Sequence, residues 1–331
     1  MTNSTLQLGK LPATLLRELL DGCAPAPPEV LLGPAPGEDA AAVRVEGGTL
    51  VVATDPITLT GRDVAAHAVV VNANDVAVTG VRPRWFLCAV MLPAGTTADD
   101  VRALFAAMHE ALERTGATLL GGHTEVTKAV TQPVVVGQML GLRADGAFIR
   151  TGGAAPGDVI VQIGPAPIEG AAVLANECAH LSNTLAPEVL DEARRALSDP
   201  GISVVEPALA AAELGASALH DPTEGGLSAG LYELAEASGV SLEIAADAVL
   251  WYAPGVDLCR AVDVDPWGVL ASGTLLAAFP ERVAAAAVEI LEASYPTAVI
   301  ARAHHGSGVR IDGGRALVRY GQDEVARLLG P

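Results

Sequence analysis

Four short stretches of the chain gather residues that could hold a metal or an anion. The first, GPAPGEDAAAV (33–43), is an irregular Gly/Pro loop ending in Glu38 and Asp39, and ATDP (53–56) follows with Asp55. Between them, AAAVRVEGGTLVVATDP reads as two short strands around a Gly-Gly turn. In such a hairpin the outer strand ends are neighbours, so Asp39 and Asp55 could converge, although polar residues also flank strands for no chemical reason. The second stretch, VNANDVAVTG (71–80), reads as helix. At 100° per residue Asn72, Asp75 and Thr79 share a face, while Asn74 points the other way, toward solvent or a subunit contact. A buried Asn or Asp without partners costs about 1–3 kcal/mol, so that face requires a hydrogen-bonded network or a ligand. The third, GGHTEV (121–126), closes ATLLGGHTEV, which reads as a strand entering a glycine turn. Gly121 and Gly122 there would let backbone approach a ligand, with Thr124 and Glu125 beside it. The fourth is HDPTEGGL (220–227), in which Asp221 fits a helix N-cap, Pro222 the first helical position and Glu224 a capping-box partner. Gly225 and Gly226 fit that scheme poorly, since each glycine costs a helix up to ~1 kcal/mol relative to alanine. Either another backbone or a ligand lies against the helix start, and a helix N-terminus is a natural anion site.

The elements that must position these residues alternate in type. A helix is expected over about 62–79, a buried strand at RWFLCAVMLP, and an amphipathic helix at TADDVRALFAAMHEALERTG with Thr97 as N-cap and Gly116 past its end. QPVVVGQMLGLR reads as a strand. Gly and Pro cluster in RTGGAAPGD (150–158) before a fresh strand, VIVQIG. Beyond it come a long helical region (169–198), a short strand near Ser203–Val205, a helix at EPALAAAELG, and a helix from the HDPTEGG segment to Ala237. SLEIA, SGTLLAAF, ERVAAAAVEILEAS and TAVIARAH then alternate strand and helix, with His304 and His305 expected in a turn. The expected organisation is an arm over 1–30 and two mixed domains over 31–152 and 153–331.

Composition narrows the function classes. A net charge of −19 with only Lys10 and Lys128 as lysines opposes binding to nucleic acid phosphates. No apolar run reaches the length of a membrane span, and the opening MTNSTLQLGKLP lacks secretory-signal features. Cys23, Cys88, Cys178 and Cys259 are widely spaced, without a CxxC pair, which fits reduced thiols in the cytoplasm. No Walker A, GxSxG or HExxH motif is present. An anionic ligand would need metal ions or helix N-termini to offset the protein's charge.

The order of the motifs, namely an acidic Gly loop, TDP, NxND on a helix, GGxTE, PGD before a strand and DPTxGGL, resembles the aminoimidazole-ribonucleotide-synthetase-like (AIR-synthase-like) ATP-binding superfamily. NANDVAVTGVRPRWFLCAVMLPAG and LHDPTEGGLSAGLYELAEASG are most similar to its hydrogenase-maturation HypE branch. The resemblance covers roughly 30–330 and implies a two-domain α+β / α/β fold: an N-terminal mixed-sheet domain that dimerises and a C-terminal α/β sandwich domain. It implies a homodimer that binds ATP with Mg²⁺ and can meet other maturation proteins. By motif position it puts Asp39, Asp55, Asp75 and Glu125 on the metal, and Asn72, Gly121, Gly122, Thr124, Thr223, Gly225 and Gly226 around the nucleotide. Lys10, His220 and Asp221 are the implied catalytic residues. The implied chemistry activates an amide- or carboxylate-type oxygen by phosphoryl transfer. The alternatives are a non-catalytic ATP-binding partner in a maturation complex and a small-molecule kinase similar to thiamine-monophosphate kinase. HypE-type chains end in a cysteine-bearing tail that carries a carbamoyl group, whereas this sequence ends RLLGP, so dehydration of a self-carried group is not expected. Glu169 and Glu224 stand where that branch carries His and Arg, so the substrate differs or those loops do not touch phosphate.

Overall fold

The computed structural model describes residues 13–21, 26–35, 37–58, 63–311 and 313–330. Lys10 and Cys23 lie outside the described residues. The chain divides into two compact units. The N-terminal unit comprises 26–33 and 39–148; the C-terminal unit comprises the described residues of 1–25 and 34–38, with 149–331. A first helix, α1 (Ala13–Asp21), groups with the C-terminal unit.

In the N-terminal unit, the described strands are β1 (Val30–Leu32), β2 (Ala41–Val45), β3 (Gly48–Ile57), β4 (Trp85–Pro93), β5 (Thr118–Thr127) and β6 (Val134–Arg143). They form one sheet in the order β1-β2-β3-β6-β4-β5. The hairpin read from the sequence is present: Val45 pairs with Gly48, and Gly47 and Gly48 both take positive φ. α2 (Val64–Ala77) packs on β3 and β6, and α3 (Ala98–Thr115) packs on α2. The Thr97 capping box forms with Asp100, and Gly116 ends α3 in the left-handed conformation. Buried and half-buried positions alternate along β4, the pattern of a sheet with one face under helices. GGHTEV is not a turn. Gly121 and Gly122 continue β5, an edge strand running parallel to β4, and at Gly122 (φ 146°) a Cβ would sit 1.9 Å from the Cys88 carbonyl oxygen. Asn74 also departs from expectation, being 1% exposed, because α2 is wedged between the sheet and α3 and has almost no solvent face.

The C-terminal unit is built on β7 (Val159–Ile163), β8 (Ala218–His220), β9 (Val240–Ile244), β10 (Leu275–Phe279), β11 (Thr297–His305), β12 (Gly308–Ile311) and β13 (Arg315–Ala316). Their sheet order is β13-β12-β9-β11-β7-β10-β8. Every position of β7, β8 and β10 is buried, so this sheet is covered on both faces. The cover includes α6 (Val205–Glu213), α7 (Gly226–Ser238) and α9 (Glu281–Glu292). Leu227, Leu231 and Leu234 place the apolar stripe of α7 in a core with Ile160, Leu242, Leu276 and Ile300. Each such leucine contributes about 1.5–3 kcal/mol. α4 (Ile168–Glu177) packs on α5 (Pro187–Arg195), on α8 (Ala253–Ala261) and on the last helix, α10 (Glu324–Leu329). The expected 169–198 helix is thus two helices, separated by a 3-10 segment (Ala179–Asn183) and restarted at Pro187. No strand forms at Ser203–Val205, because Val205 already opens α6. His304 and His305 close β11 rather than a turn.

Candidate functional site

In the N-terminal unit the site begins with a clamp on the backbone of Asp55. The buried Asn72 side chain accepts a hydrogen bond from Asp55 N–H (2.8 Å) and donates to the Asp55 carbonyl (3.2 Å) and the Ala68 carbonyl (2.8 Å). The amide that looked unsatisfied in the sequence therefore spends its capacity on fixing where Asp55 stands, with the Asp55 residue itself exposed. Any contribution of Asn72 to a nucleotide site runs through that placement. Thr79, on the same helix face, donates to the Val76 carbonyl within its own turn (2.6 Å). Asp75, buried, lies one turn beyond Asn72. Asp39 is half-buried just ahead of β2; β2–β3 pairing begins at Ala41–Val52, and extending the register sets Asp39 opposite Thr54, beside Asp55.

A row across this sheet runs Asp55–Gly137–Cys88–Gly122. Gly137 is bare because a Cβ there would lie 2.4 Å from the Asn72 amide nitrogen. Thr124 and Glu125 lie further along β5, both exposed, with Glu125 3.5 Å from His123. Three strand spacings separate β5 from β3, so Glu125 stands roughly 17 Å from Asp55 within one chain. Asp55 and Glu125 do not meet on one ion in a single copy.

In the C-terminal unit, β8 delivers His220 and Asp221 into a buried position at its end. Glu233, on α7, lies 2.9 Å from His220 Nε2, and a ring nitrogen of His220 lies within 4.8 Å of an Asp221 carboxylate oxygen. The segment that follows is not a capped helix start. Gly225 (φ 82°) and Gly226 (φ 70°) are both left-handed, so α7 begins only at Gly226, and Asp221–Glu224 form a loop. Two contacts explain that geometry: a Cβ on Gly226 would lie 2.5 Å from the Trp267 carbonyl, and one on Gly230 would lie 2.6 Å from the Pro222 ring. Of the two readings left open for the paired glycines, close backbone approach accounts for Gly226. Gly225 N–H donates to the Asp323 carboxylate (2.8 Å), so the chain's own acid occupies this donor at the start of α7. Burial pushes the Asp323 carboxyl up to about 7, with Glu224 and Glu169 adding to the rise against the lowering effect of its backbone hydrogen bonds. Glu169, at the start of α4, accepts from the Ser272 hydroxyl. Cys259 is pushed up to about 12 by burial, with neighbouring Asp265 reinforcing it, so it is a neutral thiol.

Glu233, Ser272 and Asp323 were not legible as site residues. Asp323 carries only the local signal of an N-cap, since it accepts from Val325 N–H at the head of α10. Nothing in the sequence ties it to a glycine 98 positions earlier.

Two family models match the chain: AIR synthase related protein, N-terminal domain, over 37–143, and AIR synthase related protein, C-terminal domain, over 155–313. The chain belongs to the AIR synthase related family. It is similar to carbamoyl dehydratase HypE of Rhodobacter capsulatus, 29% identical over 272 residues, covering 76% of this chain and 74% of that protein. The fold matches a crystal structure of hydrogenase maturation protein HypE in complex with ATP, at TM-score 0.71, 24% identity and coverage of 87% and 90%. It equally matches AaThiL complexed with AMPPCP and TMP, at TM-score 0.72, 19% identity and coverage of 92% and 94%.

Proposed function

We propose that this protein binds ATP with Mg²⁺ and transfers the γ-phosphoryl group to an amide- or carboxylate-type oxygen. The observation that carries this reading is the Asn72 clamp, which commits a fully buried amide to holding one exposed carboxylate, Asp55, at a fixed point beside bare glycine backbone. The donor set fits the metal: Mg²⁺ takes one or two carboxylates and leaves its other positions to water and phosphate. Two of Asp55, Asp75 and Asp39 would hold one ion, which when bound would supply neutralisation of triphosphate charge that a protein of net charge −19 otherwise opposes. The start of α7 fits phosphate less well, because Asp323 takes the Gly225 donor and Glu224 adds negative charge. That loop is poorly suited to gripping a phosphate. His220, 2.9 Å from Glu233, is the C-terminal unit's own candidate for proton exchange.

The name of the Rhodobacter relative, and the nucleotides in the HypE and ThiL structures, support the same class of reaction. The reading includes a homodimer. The half-buried face of the N-terminal sheet carries Leu87, Met91, Val136 and Leu140, and the edge strand β5 exposes Leu120 and Val126 at 58% each. A second copy would cover that surface, and Glu125 would serve the site only from such a copy. ADP release is the test, measured with Mg-ATP and thiamine monophosphate, selenide or a carbamoylated cysteine peptide in turn. Turnover with one of them, lost in Asp55→Asn, supports the proposal. ATP binding without turnover on any would replace it with the non-catalytic partner reading.

A further inference from the structure

The last stretch of the C-terminal unit is tied down along its length to α7, to the loop before that helix and to the Asp265–Gly268 turn. Leu317 and Val318 carbonyls accept from Tyr232 Oη (2.8 Å) and from Ser228 Oγ, both on α7. Arg319 pairs with Glu236 and lies over the Tyr232 ring. Tyr320 packs on Gly268, where a Cβ would lie 2.7 Å from its ring, and donates to Asp265 (2.6 Å). The segment ends on Asp323, 4% exposed, one oxygen taking Gly225 N–H and the other Val325 N–H, each at 2.8 Å. The first three ties hold the body of α7. Only the last reaches the loop.

We propose that Asp323 is the positioning residue of the Asp221–Gly226 loop: through it the C-terminal segment clasps the start of α7, and loss of its proton loosens the clasp. Charge in a confined place governs the clasp. A neutral carboxyl can accept both backbone N–H bonds, whereas an ionised one gains strength in those bonds but is buried among acids. Glu224 faces it from the loop and Glu169 from α4. Glu324 stands next in sequence on α10, where Arg327 already pairs with it (2.7 Å). Cys259 on α8 is a neutral thiol, and Tyr320, pushed up by burial and by its bond to Asp265, is a neutral phenol. None of these supplies a positive charge to Asp323. Its raised value, about 7, means that the docked state holds a proton the undocked one releases. Undocking should therefore grow easier by up to about tenfold per pH unit between about pH 4 and pH 7, and level off once both states are ionised. A site shaped by this loop would work in its closed form on the acid side and open on the alkaline side, an effect that rests on the nucleotide reading above; the clasp itself does not.

Amide hydrogen exchange on the full chain, corrected for the intrinsic rate, tests the clasp at pH 6, 7 and 8, with Mg-ATP affinity measured in parallel. Protection of Gly225, Gly226 and the α10 amides in the native protein should fall about fivefold between pH 6 and pH 7 and level off by pH 8. In Asp323→Asn, which keeps an acceptor but cannot ionise, protection should be independent of pH. Asp323→Ala should lose protection at every pH. Equal protection of the native protein at pH 6 and pH 8, or the same pH response in Asp323→Asn, would overturn the proposal. A clasp that behaves as expected in a protein that never binds ATP would reject the nucleotide reading alone.

Discussion

At the scale of single residues, Asn72 and Asp55 divide structure from chemistry. Asn72 is wholly buried and makes three hydrogen bonds, two of them to Asp55 backbone, while the Asp55 side chain is left at the surface. Asn72→Ala strands the Asp55 N–H and should lower unfolding free energy by about 1–3 kcal/mol in urea titration. Asp55→Asn should leave that stability within ~0.5 kcal/mol. Asp55 was readable from the sequence as a carboxylate closing a hairpin strand. Asn72 was readable as a polar group needing a partner, but its partner was not, because that contact depends on how α2 docks on β3. The reach of Asp323 to Gly225 was hidden for the same reason.

At the scale of elements, β2, β3, β4, α3 and β6 follow period and capping in the sequence, with Thr97 and Gly116 ending α3 as their residue types require. The start of α7 did not follow: Asp221-Pro222 is a textual match to an N-cap pair, yet two left-handed glycines and the backbone near Trp267 delay the helix to Gly226. Tertiary approach overrode local signal there. The docking of α10 gives this scale its pH prediction. Asp323 has a folded value of about 7, above the unfolded carboxylate value of about 3.9. The folded state thus binds the extra proton, so its contribution to stability is complete below pH ~4 and declines as pH rises to ~7, on the order of a few kcal/mol. Subtracting the unfolding free energies of Asp323→Asn from those of the native protein across pH 4–8.5 should show that decline, with a plateau above pH ~8. A flat difference would contradict it.

At the scale of the whole molecule, each unit is a sheet with helical cover, but the two differ in what they leave open. The C-terminal sheet buries every position of β7, β8 and β10, whereas the N-terminal sheet keeps one face half-buried and its β5 edge exposed. A homodimer built on that edge depends on β5 staying paired to β4, and Gly122 is where the two backbones come closest. Gly122→Ala should shift the sedimentation coefficient from dimer to monomer at micromolar concentration, with far-UV circular dichroism changed little. A dimer that survives the substitution would place the interface elsewhere.

A metal-dependent nucleotide site centred on Asp55 makes ATP binding conditional on Mg²⁺, and calorimetric titration of ATP into the native protein measures that dependence. Binding should require Mg²⁺, vanish in EDTA, and weaken at least tenfold in Asp55→Asn. Absence of ATP binding in the presence of Mg²⁺, or equal affinity with and without the metal, would contradict the account.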